Sequence, residues 1–475
     1  MRPPRGVAPL FTLAALACVT NPATGGKQFS LVSESQELSM GREYDQQVTA
    51  TLGLYPDSAL QRYIQEFGAR LAAKSERPAL PWTFRIIDDT VVNAFALPGG
   101  YIYVTRGILA HLNSEAQLAA VVGHEIGHVT ARHSADQLTK QQLAQAGLAI
   151  GSIASPTFGR VSGLAGQALG VLFLKFSRAN ESQADELGLR YMQRARYDPR
   201  EMPGVFHMLD RVSGGAGGRV PAWQATHPNP ENRRQHIAEA VSHIADTAGT
   251  IVGQAAYYRR IEGMIVGADP RDGYFKGVEF FHPELRFRLR FPDGWTVANQ
   301  KQRVIAASPS QDGAVELTIV PQKSGSAAAQ AFFAAQGVVG GQPDRTPLNG
   351  LAAIQAPFGA SLEAGTVYGT VIFVEYGGAV YRLLAYALET KWSGYQTTAE
   401  RALQSFAPLT DPAALGAQPA RITTFVVSEP TSIQKLAVAR ASPVPAAALA
   451  LLNQVELETP IDAGTQVKWV TVPGP

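Results

Sequence analysis

The chain has one cysteine in 475 residues, Cys18, so no intramolecular disulfide can stabilise it wherever it works. Its formal charge is +2 at neutral pH, which gives no broad attraction for nucleic acid or for an anionic membrane surface. Partners must therefore be argued from sites. A long apolar run is also missing. Residues 7–17 are too few to span a bilayer, and residues 141–159, although uncharged, are interrupted by Gln, Ser, Gly and Pro. They read as a helical segment, buried, mobile or resting as a flap on a membrane. No long internal repeat is present. Histidine is scarce as well, nine in all, yet two of them stand four apart in "VVGHEIGHVT" (121–130).

What remains is ordinary globular composition, 45% hydrophobic and 17% charged. A single core seldom grows past about 250–300 residues, so this length implies two to four domains. The N-terminus reads as a short export signal over 1–17, with Arg2 and Arg5 ahead of the apolar stretch. It ends in "LAALAC", which resembles a bacterial lipobox, with Ala15 where leucine is commoner. That resemblance implies lipidation of Cys18 as the new N-terminal residue. Cleavage there would leave 39 basic and 39 acidic side chains, so any membrane anchor would be the lipid and not surface charge.

Residues 18–30 read as the lipidated linker, and helical spacing begins at Ser33. "WTFRIIDD" (82–89) reads as a strand, and "NAFALPGGYIYVTRGIL" (93–109) as two β-rich stretches joined by a Pro-Gly-Gly turn. Ser114 with Gln117 forms a capping box for the next helix. Helical pattern returns over 176–192 and 201–243, and the first domain boundary falls near 265–275. In "ELRFRLRF" apolar residues alternate with Arg286, Arg288 and Arg290, which reads as a strand with a solvated outer face. Residues 275–410 are expected to form a small α+β accessory domain, faintly similar to the Mog1/PsbP-like fold. Residues 421–472 resemble a degenerate LysM module. Its Gly-Asp-Thr turn is replaced by Glu429-Pro430-Thr431, which argues for a packed accessory role over binding of cell-wall glycan.

On a helix, His124 and His128 project from one face, so two neutral imidazoles can meet one zinc ion at about 2.0–2.1 Å. Glu125, one residue round, can reach a water at that ion without entering the coordination sphere, as a general base. "FSRANESQADELGLRYM" supplies Glu181 and, one turn later, Asp185, which suit a third ligand and an acceptor for a ligand histidine's outer N–H. His133 lies nine residues beyond His124. On a continuous helix that rotates it away from the ion, toward a structural or surface role.

These blocks together resemble the zinc peptidase family of the CaaX prenyl protease and the heat-shock protease HtpX, of gluzincin type. "NPATGGKQFSLVSE" is similar to its exported lipoprotein branch. The resemblance covers about residues 20–245. It implies an α+β chain with a mainly helical zincin-type metalloprotease domain and small sheet over 31–265. It also implies one Zn2+ per chain on His124, His128 and Glu181, with Glu125 catalytic. "NAFALPGG" resembles the edge strand that holds extended substrate, making Asn93 and Ala94 candidate contacts. His227 and Arg233 in "THPNPENRR" match a further block, in which the histidine either stabilises the oxyanion or occupies the open zinc position. Both roles stay open. The resulting expectation is a metalloendopeptidase acting on extended or misfolded envelope polypeptides. It would work in the bacterial periplasm, anchored by lipid to the inner or outer membrane, with no nucleic-acid partner. The alternative is an envelope chaperone or scaffold with a latent zinc site.

Overall fold

The computed structural model describes residues 18–145, 175–214, 223, 227, 230–362 and 365–474. The expected export signal and most of the uncharged stretch after 141 lie outside the described residues. The chain is α+β and forms two compact units. One consists of residues up to Gly267 together with Ala420–Val472, the other of Ala268–Pro419.

The first unit opens with β1 (Cys18–Thr20) and β2 (Lys27–Phe29), paired antiparallel with Cys18 opposite Phe29. Helix α1 (Glu34–Leu52) starts at a reciprocal capping box between Ser33 and Gln36, and α2 (Ser58–Ala72) starts at an Asp57 cap. A three-stranded sheet follows: β3 (Thr83–Ile87), β4 (Ala94–Leu97) and β5 (Tyr101–Thr105), in the order β3-β5-β4. Strands β4 and β5 form the expected antiparallel hairpin, and β3 runs parallel to β5. Gly99 and Gly100 turn the hairpin at φ of +80° and +99°, where a side chain would be strained. This leaves β4 at the sheet edge.

Short α3 (Arg106–His111) leads into α4 (Glu115–Thr130), the helix that carries HEIGH. Ser114 caps it by accepting from Gln117 N–H. The expected box closes only by half, because Gln117 Oε1 accepts from Asn113 N–H instead. Every residue from Ala116 to Thr130 is buried, so α4 is a central helix wrapped on all sides and not a surface amphipath. Around it pack α2, β4, α6 (Arg178–Arg194) and α7 (Met202–Gly214), with α5 (His133–Gln145) continuing beyond its end. Helices α8 (Pro230–Ser242) and α9 (Gln254–Ile261) complete this stretch.

Two features fix α4. Its far end is closed by Arg132 in the left-handed region, φ +61°. The Arg132 guanidinium meets Glu37 Oε2 at 3.1 Å and Val32 O at 2.8 Å, while Arg77 reaches the same Glu37 oxygen at 3.2 Å and Val129 O at 3.1 Å. All three charges are buried, so removing Glu37 would leave Arg132 without its buried counter-charge, at a cost of about 3–5 kcal/mol. Along its length, α4 crosses α6 at glycines. A Cβ on Gly188 would lie 2.9 Å from His124 N, and one on Gly127 would lie 2.9 Å from Ala184 O.

The second unit holds a seven-stranded antiparallel sheet, ordered Val338–Gly340, Ala353–Leu362, Gly365–Tyr376, Ala379–Leu388, Gly313–Val320, Arg303–Ala307, Thr296–Gln300. Helix Glu389–Gln404 packs on it, and a four-stranded sheet includes Phe287–Arg290. There Phe287 and Leu289 point inward while Arg288 and Arg290 are exposed, Arg290 pairing with Glu279 and Asp293.

The chain then returns to the first unit as β6 (Arg421–Val426), α10 (Ile433–Ala439), α11 (Ala446–Leu452) and β7 (Gln466–Thr471), with β6 and β7 antiparallel. This β-α-α-β segment is bonded to the start of the HEIGH helix. Lys468 Nζ, fully buried, donates to Ala110 O at 2.6 Å and Leu112 O at 2.8 Å, capping α3. Gln454 Nε2 donates to His111 O and to Gln117 Oε1.

The tight crossing predicts that Gly188→Val lowers stability by about 1–3 kcal/mol through overpacking. Gly214→Ala, where a Cβ meets nothing within 4 Å, should leave it nearly unchanged. Thermal denaturation of both variants checks this, and equal melting of Gly188→Val and the parent would contradict the packing account.

Candidate metal centre

The α4–α6 crossing brings seven of the residues singled out in the sequence into one buried cluster. His124, Glu125 and His128 come from α4, and Glu181 and Asp185 from α6. Arg233 comes from α8, and His227 from the segment before it. Each is at most 5% exposed. One ligand-capable atom from each of His124, His128, Glu181 and His227 lies within 4.8 Å of the others.

The details follow from helix spacing. His124 and His128 present their Nε2 atoms to each other at 2.9 Å. Glu181 lies opposite, Oε2 3.6 Å from His124 Nε2 and Oε1 3.5 Å from His128 Nε2. His227 Nδ1 stands 3.1 Å from both Glu181 oxygens and 3.3 Å from His124 Nε2. Asp185, one turn beyond Glu181, places Oδ1 2.8 Å from His124 Nδ1. Arg233 grips Asp185 with two bonds of 2.7 and 2.6 Å and reaches Glu181 Oε2 at 2.7 Å. Its guanidinium also lies over the Phe206 ring, 5.0 Å from the centroid.

Glu125 differs from its neighbours. Its Oε1 is buried without a hydrogen-bond partner, and His227 Nε2 lies 3.7 Å from it. Burial raises its pKa above the usual carboxylate value despite the nearby imidazoles. Burial opposes charge on Glu181 and Asp185 too, but His227 and Arg233 hold Glu181 below its ordinary value, and Arg233 holds Asp185 down to about 2. Burial pushes His128 well below the ordinary histidine range.

The donor set fits zinc. Three imidazoles and a carboxylate are nitrogen and oxygen ligands of the type zinc takes in fours. His124 Nδ1 faces the Asp185 carboxylate, which turns the His124 Nε2 lone pair toward His128 Nε2. Tetrahedral bonds to one zinc would set such nitrogens about 3.3 Å apart, close to the separation here. With Glu125 ionised and the imidazoles neutral, three carboxylates and one guanidinium would leave the cluster with two negative charges, matched by a dication.

Several features were not legible in the sequence. His133 was expected to rotate away from the ion, toward a structural or surface role. It is 2% exposed, and its Nδ1 sits 2.9 Å from His128 Nδ1. The surface alternative fails because α4 ends at Thr130 and the left-handed Arg132 redirects the chain, so helical rotation does not carry through to residue 133. Trp223 stacks on His227 with centroids 4.3 Å apart, and Phe176 lies 4.2 Å from the His128 ring. Neither aromatic stood out by spacing, since both reach the site from outside the motif helices. Asn93 and Ala94 belong to the β4 hairpin, with Asn93 Oδ1 buried and unbonded. Cys18 begins β1.

Residues 58–241 match the model of Peptidase family M48. The chain is 34% identical over 236 residues to the β-barrel assembly-enhancing protease of Escherichia coli, an alignment covering 48% of this chain and 47% of that protein. It is 34% identical over 187 residues to the mitochondrial metalloendopeptidase OMA1 of Arabidopsis thaliana, covering 39% and 36% respectively. The chain thus spans about half the length of the bacterial proteases it matches, or less of the mitochondrial one. Among solved structures, cyanobacterial PsbP from Synechocystis aligns at 13% identity and a TM-score of 0.24, over 29% of this chain and 98% of that one, too slight a likeness to carry an argument. The HEIGH helix, Glu181, Asp185, His227 and Arg233 all fall inside the matched segment, so the part of the chain that carries the cluster is similar to peptidase family M48, a family of zinc metallopeptidases.

Proposed function

We propose that the protein is a zinc metalloendopeptidase that cleaves extended or misfolded polypeptides of the bacterial cell envelope. The observation that carries this reading is the four-donor cluster with an unbonded Glu125 oxygen beside it. His124, His128 and Glu181 are the ligands. Zinc, when bound, supplies the Lewis acidity that polarises a peptide carbonyl and acidifies water. Glu125 takes the proton from the attacking water and delivers it to the leaving amine, its open Oε1 being free to accept. Asp185, held by Arg233, accepts from His124 Nδ1–H and so keeps the Nε2 lone pair toward the ligand position.

His227 takes the fourth ligand position in the resting site. Its Nδ1 lies among the ligand atoms, nearer to them than its Nε2 is to Glu125, which favours this over an oxyanion role. Substrate adds as a strand to the edge of β4, with Asn93 and Ala94 in contact, since main-chain pairing gives affinity with little sequence selectivity. Lipidation of Cys18 anchors the protein to the membrane, and the related E. coli protease, named for β-barrel assembly, is consistent with envelope substrates.

Three outcomes test this. Purified protein should bind about one zinc, and His124→Ala or Glu181→Ala should lose it by elemental analysis; full zinc in either variant would refute the ligand set. Glu125→Gln should keep its zinc and slow hydrolysis of unfolded casein by about 10²–10⁴-fold, the usual range for a general base. Equal rates would sink the protease reading, and suppression of casein aggregation without cleavage would instead favour a chaperone. Mass spectrometry of the exported protein should find a diacylglyceryl thioether on Cys18, and an unmodified thiol there would rule out the anchor.

A further inference from the structure

We propose that His133 and Gln183 are positioning residues that fix the tautomer and orientation of His128, through a neutral chain running from α6 to the metal site. The inference rests on the zinc reading above and goes beyond it by assigning roles to two residues outside the motif.

The geometry is a line of three groups. Gln183, two residues after Glu181 on α6, places Oε1 2.9 Å from His133 Nε2, and His133 Nδ1 lies 2.9 Å from His128 Nδ1. An amide oxygen only accepts, so His133 Nε2 carries its proton there. A neutral imidazole protonated on Nε2 has its lone pair on Nδ1, and that atom accepts from His128 Nδ1–H. His128 is then left with a lone pair on Nε2, the atom that faces His124 Nε2 and Glu181. The opposite amide orientation reverses each step. It would put the proton on His128 Nε2, where a ligand needs its lone pair.

Both histidines of the motif are therefore oriented from α6, by different means. His124 is backed by the Asp185 carboxylate, itself paired with Arg233. His128 is backed by a neutral imidazole and a neutral amide. The charge count explains the difference. Glu125, Glu181, Asp185 and Arg233 already sum to the charge that one dication matches, and a further buried carboxylate behind His128 would leave one negative charge unpaired. A neutral acceptor sets the tautomer without that penalty. The left-handed Arg132 makes the contact possible by turning His133 back along the end of α4.

The test is zinc affinity, measured on the full chain by competition with a chromophoric chelator, with the visible absorption of the cobalt-substituted protein as a second readout. Loss of a partner behind a metal-bound histidine typically weakens binding by about 10–100-fold. His133→Phe and, independently, Gln183→Met should each raise the zinc dissociation constant within that range and shift the cobalt bands. His133→Asn, whose side-chain oxygen can accept from His128, should recover most of the affinity while His133→Phe does not. Melting of the metal-free variants separates this from misfolding, and Gln183→Met, at a half-buried site, keeps the proposal testable if His133→Phe does not fold. If the parent holds zinc while His133→Phe and Gln183→Met bind it within twofold of the parent, the positioning role is overturned and the zinc reading stands. If the parent itself binds no zinc, both fall.

Discussion

The site depends on how closely two helices approach. Glu181 and Asp185 can meet His124 and His128 only if the backbones of α4 and α6 nearly touch, and Gly127, Gly188 and Ala184 permit that contact. Any larger residue at the crossing would push the carboxylates away from the imidazoles by a few tenths of an ångström, a distance that matters to ligands set about 2 Å from an ion. The small residues in "GHEIG" and "ADELG" are therefore part of the same device as the polar ones between them. The Glu37–Arg77–Arg132 cluster and the Lys468 cap act at opposite ends of α4, holding its length and direction against the crossing.

The motif chemistry was legible because it is local. HEIGH gives two imidazoles one turn apart, and Glu181 with Asp185 gives two carboxylates one turn apart; both patterns survive translation into a helix without knowledge of tertiary structure. The β4–β5 hairpin was legible for the same reason, its Pro-Gly-Gly turn demanding positive φ. His133 was not, because its position depends on where the helix stops. A single residue in the left-handed region, Arg132, is stabilised there by a buried carboxylate ninety-five positions earlier in the chain, and periodicity carries no trace of that. The bond from Lys468 to the carbonyls of Ala110 and Leu112 was hidden in the same way, since a lysine in a strand reads as exposed until its acceptors are known.

Helix α4 presents a problem that its sequence does not announce. A helix buried on every side should be apolar, yet this one takes two histidines and a glutamate into the interior, facing Glu181 and Asp185 on its neighbour. Polar groups so placed are tolerated only when nearly every one has a partner. Asp185 has two bonds from Arg233 and a contact with His124, Glu181 has Arg233 and His227, and His128 has His133. Two atoms of the cluster lack a hydrogen bond: Arg233 Nη1, which keeps its ion pair with Glu181, and Glu125 Oε1. An acceptor left open in a buried network costs free energy, and such a cost persists where the group must accept a proton in the course of a reaction. The remaining imbalance is the two negative charges left after Arg233 is counted, and a dication bound by His124, His128 and Glu181 would cancel it. Metal binding in this site would therefore be linked to the stability of the first unit as well as to chemistry.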